Sequence, residues 1–398
     1  MVAHGPDAIR WLAQANADSV FAYIKRAGEP VPKGIRWQTL NFDNAPQYDA
    51  SLNNGVAGIG LFLTDYYAAT GNSEARDMAL GALQWCLGQG EAIDGDSLCL
   101  GRAGVGLAWL RYGQITGQQK ALEKARRLGD HLAKSALGPV TDFFGGAAGI
   151  GVFLLRLGEA AENSRYLEAA AKIGRWLDRV ATRDEIGTHW PIILDDPRFT
   201  SPHLGFEGLA GIGHFFLLLY EKTADSRWAH LGRSVLTTLS HLSIPQQGGI
   251  NWPEQAQGDT VKCQWCHGAP GIGLFFLQAY RIFADPALLV TAAAAGEATY
   301  ALGDIRHNPS QCHGLSGNAE LFIELYAASG DPIWLQRSHD FAVLASAYRQ
   351  ETEDGDIWQA DEPGCYSPDF LCGAAGTGHF FLRLAYPDRI EMPLCSPR

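Results

Sequence analysis

The sequence predicts an all-α protein, an (α/α)7 toroid of seven inner and seven outer helices in one domain spanning residues 1–398. Three observations carry that expectation. Gly-x-x-Gly followed by apolar residues occurs seven times, a repeat that fixes the architecture before any single motif does. The segment that each glycine pair opens is apolar nearly all round, which marks a helix buried on every side. The segments in between are longer, more charged and amphipathic, as suits helices with one wet face. Strict alternation of the two kinds closes most economically as a ring, inner helices around an axis and outer ones wrapped about them. An open solenoid would leave the apolar helices exposed on its concave side.

Taken in order, residues 7–27 form the first outer helix. Gly55 and Gly58 in NGVAGIGLFL open an inner helix bearing Leu61, Phe62, Leu63, Tyr66 and Tyr67, which Gly71 ends. Gly101 and Gly104 open the second, ended by Gly117, and 118–136 is an outer helix. Gly146 and Gly149 open the third. Gly208 and Gly211 open the fourth, which contains Phe215 to Tyr220. Gly268 and Gly271 open the fifth, Gly314 and Gly317 the sixth (ended by Gly330), and Gly373 and Gly376 the seventh. Asp285-Pro286 and Asp331-Pro332 start outer helices, an N-cap side chain followed by proline in the first turn; the last outer helix spans 331–350. Between outer helices and glycine pairs lie Gly34-Ile35-Arg36-Trp37, Gly187-Thr188-His189-Trp190, Gly249-Ile250-Asn251-Trp252 and Gly355-Asp356-Ile357-Trp358. These are either packed loops or an aromatic lip for a peptide.

The glycines let each inner helix start tightly and pack closely. Gly58-Ile59-Gly60 is no dinucleotide fingerprint, because no parallel strand precedes it and the pattern recurs in every repeat. The inner helices all start at one end of the ring, where free N–H groups and partial positive charge converge. A site is expected at that mouth.

Composition is that of an ordinary globular protein, 46% hydrophobic and 19% charged. No stretch approaches the ~20 apolar residues of a membrane span, and no basic-then-apolar leader opens the chain. Cytoplasmic is the default location. The net charge of −12 weighs against broad contact with nucleic acid or an anionic membrane. The eight cysteines read as buried thiols, metal ligands or nucleophiles before disulfides.

Two of the glycine turns carry chemistry. QWCHGAPGIG spans 264–273 and QCHGLSGN spans 311–318. The other repeats place Asn54, Leu100, Gly145, Glu207 and Cys372 before the first glycine, so the fold does not require Cys-His there. Repeats five and six are neighbours in a ring, which brings Cys266, His267, Cys312 and His313 to one space. Two thiolates and an imidazole bind zinc and leave a fourth tetrahedral position open; helix N-termini favour the thiolate. A pair of structural cysteines is the competing reading, and a closed site using Cys263 with Cys266 is another. His214 and His379 lie just inside inner helices and read, with His203, as core or loop histidines.

These motifs, over essentially the whole chain, resemble the lanthionine synthetase C-like family. The resemblance implies the (α/α)7 toroid and one zinc per chain, held by Cys266, Cys312 and His313. It implies a lanthipeptide cyclase that adds peptide cysteine thiols to dehydroalanine or dehydrobutyrine in a dehydrated precursor peptide. A separate dehydratase protein would make those residues, as no kinase-like or dehydratase region is visible. Asp142 matches a family aspartate that orients or assists proton transfer; a surface turn residue is the alternative. Lys262 stands where some members have arginine, keeping the charge but losing the bidentate fork. Glu207 departs from the pattern, since many bacterial members carry histidine there. His267, with Glu207 assisting, is then the expected acid–base group. Eukaryotic relatives share CHGAPG, and that group is associated with glutathione, so addition of a small thiol to dehydroamino acids is an alternative. A zinc-containing peptide-binding module without catalysis is the third.

Overall fold

The computed structural model describes residues 6–90, 93, 95–303 and 308–395. Among them are fourteen α-helices: α1 (Pro6–Ala27), α2 (Val56–Thr70), α3 (Ser73–Gly88), α4 (Arg102–Thr116), α5 (Gln119–Leu132), α6 (Ala147–Ala160), α7 (Ser164–Val180), α8 (Leu209–Thr223), α9 (Ser226–Leu242), α10 (Ala269–Phe283), α11 (Pro286–Leu302), α12 (Leu315–Ser329), α13 (Pro332–Ser346) and α14 (Ala374–Ala385). The even-numbered helices are the inner ring. Each packs on the next, and α14 packs back on α2, closing the circle. Each is also paired with one outer helix, α2 with α3 through α12 with α13, while α14 takes α1 from the other end of the chain. The fold is therefore the all-α toroid. No described helix is long and apolar enough to cross a membrane.

The local signals act as expected. The first glycine of every pair is the N-cap of an inner helix. Gly71, Gly117 and Gly330 end helices in the left-handed conformation, with φ of 75°, 70° and 70°. Asp285 and Asp331 accept N–H bonds from Ala287 and Ile333, each at 3.0 Å. The second glycines have a stricter task. A Cβ on Gly271 would lie 2.0 Å from the Trp265 carbonyl oxygen and 2.8 Å from Phe206 Cβ; one on Gly376 would lie 1.9 Å from that of Phe370 and 2.7 Å from Gln311 Cβ. Each inner helix thus rests on its own preceding turn and on the turn of the repeat before.

Those turns form a belt at the mouth. Asn53 N–H donates to Cys99 O at 2.9 Å, Cys99 to Phe144 at 3.1 Å, Phe143 to Glu207 at 2.9 Å, and Glu207 to Cys266 at 3.4 Å. Cys266 donates to Cys312 at 3.1 Å, Cys312 to Leu371 at 2.8 Å, and Leu371 back to Asn53 at 2.9 Å. The repeats are hydrogen-bonded into a closed circle, which satisfies the buried backbone groups of the turns themselves.

Short antiparallel hairpins, unforeseen in the sequence, follow several outer helices: β1 (Glu29–Val31) with β2 (Gly34–Arg36), β3 (Thr39–Leu40) with β4 (Pro46–Gln47), β5 (Thr182–Asp184) with β6 (Gly187–His189), β7 (Ile244–Gln246) with β8 (Gly249–Asn251), and β9 (Arg349–Gln350) with β10 (Ile357–Trp358). Their tryptophans pack inward, as the packed-loop alternative has it, and form no aromatic lip. Trp37, Trp190 and Trp252 are buried, and each indole N–H donates at 2.7 Å to a carbonyl of the preceding outer helix, Ile24, Leu177 and Leu239; Trp358 is buried against Ser19 Oγ at 3.0 Å. The inner ring is also less apolar than it reads. Arg383 is buried with Glu320 and Glu324, and Asp65 with Arg111 and His379. Buried ions require partners of this kind.

Candidate metal centre

Cys266 and Cys312 stand two residues before the N-caps of α10 and α12, joined through the belt bond from Cys266 N to Cys312 O. His313 follows directly. One donor atom from each of Cys266, Cys312 and His313 lies within 4.8 Å of the others. The two sulfurs are nearly buried, 4% and 6% exposed as residues, and His313 is half-buried. Two soft sulfurs and one imidazole, gathered on adjacent helix starts, are a zinc-compatible donor set with room for a fourth ligand. They line a cavity of about 370 Å³ at the mouth, together with Glu207, Lys262, His267, Asp361, Asp369 and Cys372.

Cys263, the other half of the closed-site alternative, does not join them; its sulfur faces the Ala298 carbonyl at 3.9 Å. Gly268 fixes the Cys266 turn. Its φ is +118°, and a Cβ there would lie 2.1 Å from the Lys262 carbonyl oxygen, so only glycine sits there without strain.

The two thiols share their environment unequally. Burial opposes charge on Cys266, but hydrogen bonds from Cys312, His267 and His313 outweigh it and hold the thiol well below its ordinary value. Cys312 is driven well above, first by its hydrogen bond to Cys266 and then by burial. For His313 burial opposes protonation, yet the carboxylate of Asp361, with Oδ2 3.2 Å from Nε2, and the Cys266 sulfur raise it to about 10. Asp361 thus occupies Nε2 and leaves Nδ1 free for a metal, the usual arrangement of a carboxylate behind a ligating imidazole.

The expected acid–base groups lie beside this set. Glu207 belongs to the belt in register with the two cysteines: it immediately precedes the cap Gly208, the turn of repeat four being one residue shorter. Its Oε1 accepts from Cys312 Sγ at 3.7 Å. Burial, then the charge on Cys266, raises it to about 8, so it is mostly protonated at neutral pH. His267 Nε2 lies 4.0 Å from Glu207 Oε2 and 3.4 Å from Glu254 Oε1. Lys262 Nζ holds Glu254 at 3.0 Å. Asp142 is buried, not a surface residue. It accepts from Gly145 N–H at 2.8 Å, is raised to about 7 by burial, does not line the cavity, and acts on Glu207 through its charge. Asp369 occupies the equivalent turn of repeat seven, accepts from Cys372 N–H at 3.0 Å and does line the cavity.

His214 and His379 are core residues, hydrogen-bonded to Gln278 at 2.7 Å and Asp65 at 3.0 Å. His203 stacks edge-on against His267, ring centres 5.7 Å apart. Sequence reasoning missed Glu254 and Asp361. Both come from loops with no repeated pattern, so no local signal could have singled them out.

A sequence model of the lanthionine synthetase C-like proteins matches residues 46–395. Glutathione S-transferase LANCL1 of Danio rerio is 28% identical over 190 residues, 47% of this chain and 44% of that protein. LanC-like protein GCL1 of Arabidopsis thaliana is 28% identical over 155 residues, 37% of this chain and 35% of that protein. The matched stretches thus span less than half the length of either relative. Among solved structures, nisin cyclase superposes with a TM-score of 0.71 at 16% identity, covering 94% of each chain. That likeness is one of fold.

Proposed function

From the premise that this chain belongs to the lanthionine synthetase C-like family, we propose that it is a zinc-dependent lanthipeptide cyclase, with residues 1–398 as one catalytic domain. It joins peptide cysteine thiols to dehydroalanine or dehydrobutyrine, forming lanthionine or methyllanthionine rings. The observation that carries this reading is the meeting of Cys266, Cys312 and His313 on the wall of a cavity at the mouth of the ring. Zinc held by these three residues would supply an open position at which a substrate thiol loses its proton at neutral pH.

The protein's own groups account for the rest. The sulfur–carbon bond forms at the β-carbon, the π pair of the alkene moves toward the α-carbon and its carbonyl, and a proton must reach the α-carbon. His267 delivers that proton, with Glu207 assisting; the two lie side by side. Buried Asp142 helps keep Glu207 protonated. Lys262, turned to Glu254, is a cation of the cavity wall available to developing negative charge on the carbonyl. The substrate is a dehydrated precursor peptide, which a dehydratase activity supplies.

A second reading is favoured by the name and similarity of the Danio rerio relative: the nucleophile is glutathione or another small thiol. One experiment tests both. Zinc per chain is measured for the wild type and Cys312→Ala, and each is incubated with a dehydrated peptide carrying one cysteine while free thiol is followed by alkylation and mass spectrometry. About one zinc, lost in the variant along with thiol consumption, is the expected result. Consumption only when glutathione is added selects the second reading. Zinc without consumption of either thiol makes the protein a binding module.

A further inference from the structure

The cavity wall includes a loop that the chemistry above does not use. Residues 41–45 connect β3 to β4, and the loop is locked. Asn41 Oδ1 accepts from Asp43 and Ala45 N–H, both at 2.9 Å; Asn41 N–H donates to Ala45 O at 2.9 Å; Asn44 N–H donates to Asn41 O at 3.0 Å. Asn54, directly before the cap of α2, ties the hairpin down through Leu40 O at 3.0 Å. This fixed loop carries Phe42, which is 70% exposed and lines the same cavity as the two thiols.

A single exposed phenylalanine is ordinary on a protein surface. Two features set this one apart: it is held by a rigid loop, and it stands at the entrance to the candidate metal centre. A preorganised aromatic ring binds with little ordering cost. Charge adds a second selection. Asp43 beside Phe42 and Glu362 on the cavity wall are exposed carboxylates, and neither is engaged in an ion pair among the described residues. Lys262, a cation on the same wall, is already turned to Glu254.

We propose that the 41–45 loop and Glu362 form a selective entrance, which takes a peptide segment with an apolar residue and basic residues flanking its cysteine and disfavours anionic thiols such as glutathione. Phe42 contacts the apolar side chain, and Asp43 and Glu362 attract the basic ones. The proposal rests on the thiol-addition reading for what happens after binding, but the binding itself is measured apart from turnover.

The protein of residues 1–398, supplied with one equivalent of zinc, is titrated against fluorescein-labelled peptides that contain cysteine but no dehydro residue. The peptides have the cores Phe-Lys-Cys-Lys, Phe-Glu-Cys-Glu and Gly-Lys-Cys-Lys. The first should bind about tenfold more tightly than the second at low salt, with the gap closing toward 1 M salt. Asp43→Asn with Glu362→Gln should shrink that preference about threefold or more. Phe42→Ala should weaken the phenylalanine peptides and leave Gly-Lys-Cys-Lys unchanged. Equal binding of the lysine and glutamate peptides, or preferences that these substitutions leave intact, overturns the proposal. Lysine-selective binding without thiol addition leaves the entrance standing and removes the cyclase reading.

Discussion

Gly317→Ala tests the link between the belt and the metal centre. An alanine Cβ there would lie 1.8 Å from the Gln311 carbonyl oxygen and 3.2 Å from Trp265 Cβ. Ordinary contact lies more than an ångström farther out, so the start of α12 must separate from the Gln311–Cys312 turn. Cys312 donates to Leu371 O at 2.8 Å and accepts from Cys266 N–H at 3.1 Å. Straining both bonds forfeits about 0.5–1 kcal/mol each, and overpacking costs about 1–3 kcal/mol. Better helix propensity returns about 1 kcal/mol, so a net loss of about 1–4 kcal/mol is expected. Because the displaced turn carries a candidate ligand, zinc per chain should fall as well. Gly330→Ala is the control at the other end of the same helix. Its φ is +70° and nothing lies near its Cβ, so it carries only the cost of a left-handed alanine, about 1–2 kcal/mol. Denaturant unfolding and zinc content are measured on both. Gly317→Ala with wild-type stability and zinc, or equal zinc loss in both variants, would refute the reasoning.

Three further outcomes are expected. Asp361→Ala releases His313 Nε2 and should weaken zinc binding by about ten- to a hundredfold, read by chelator competition; unchanged affinity would remove Asp361 from the support of the centre. His267→Ala should slow cyclisation by about a hundredfold or more with zinc retained, and Glu207→Gln should slow it less; the reverse order would make Glu207 the principal acid. His214 is pressed to about 3 by burial, below the 6.5 of an exposed histidine. Its contribution to stability is full above pH 6.5, declines as the unfolded chain takes up the proton, and is lost by about pH 3. The slope is about 1.4 kcal/mol per pH unit. His214→Gln should flatten the wild-type decline between pH 6 and 4 in denaturant titrations, and an unchanged slope would contradict the assignment.

The ring was legible because its signal is repeated. Seven glycine pairs, each with a buried segment behind it, report one packing problem solved seven times. The Cys-His turns were legible because they interrupt that repetition at neighbouring positions. What could not be read was anything supplied by the irregular loops. Glu254 reaches His267 from the turn after β8, and Asp361 reaches His313 from the turn after β10; neither has a counterpart in other repeats. The tryptophan loops left two readings open for a related reason. An indole marks a loop that packs, but only the bond from Trp252 to Leu239 O reveals which way it packs.

The belt explains why one fold device can also hold a reactive centre. Its backbone bonds run from repeat to repeat whatever the side chains are, so those positions are open to chemistry: Asn53, Cys99, Phe144, Glu207, Cys266, Cys312 and Leu371 share the circle. A cysteine there is not sufficient. Cys99 is buried and is followed by Leu100; burial, with the charges of Glu207 and Asp142, pushes its thiol well above the ordinary value. Cys266 and Cys312 differ in lying on adjacent repeats and in being followed by His267 and His313, whose rings, with the Cys312 thiol, hold charge on the Cys266 sulfur. Glu207 enters the same circle one repeat earlier, its turn being one residue shorter, and so presents a carboxyl to Cys312. The departure from the family histidine therefore leaves a titratable group at that place in the ring.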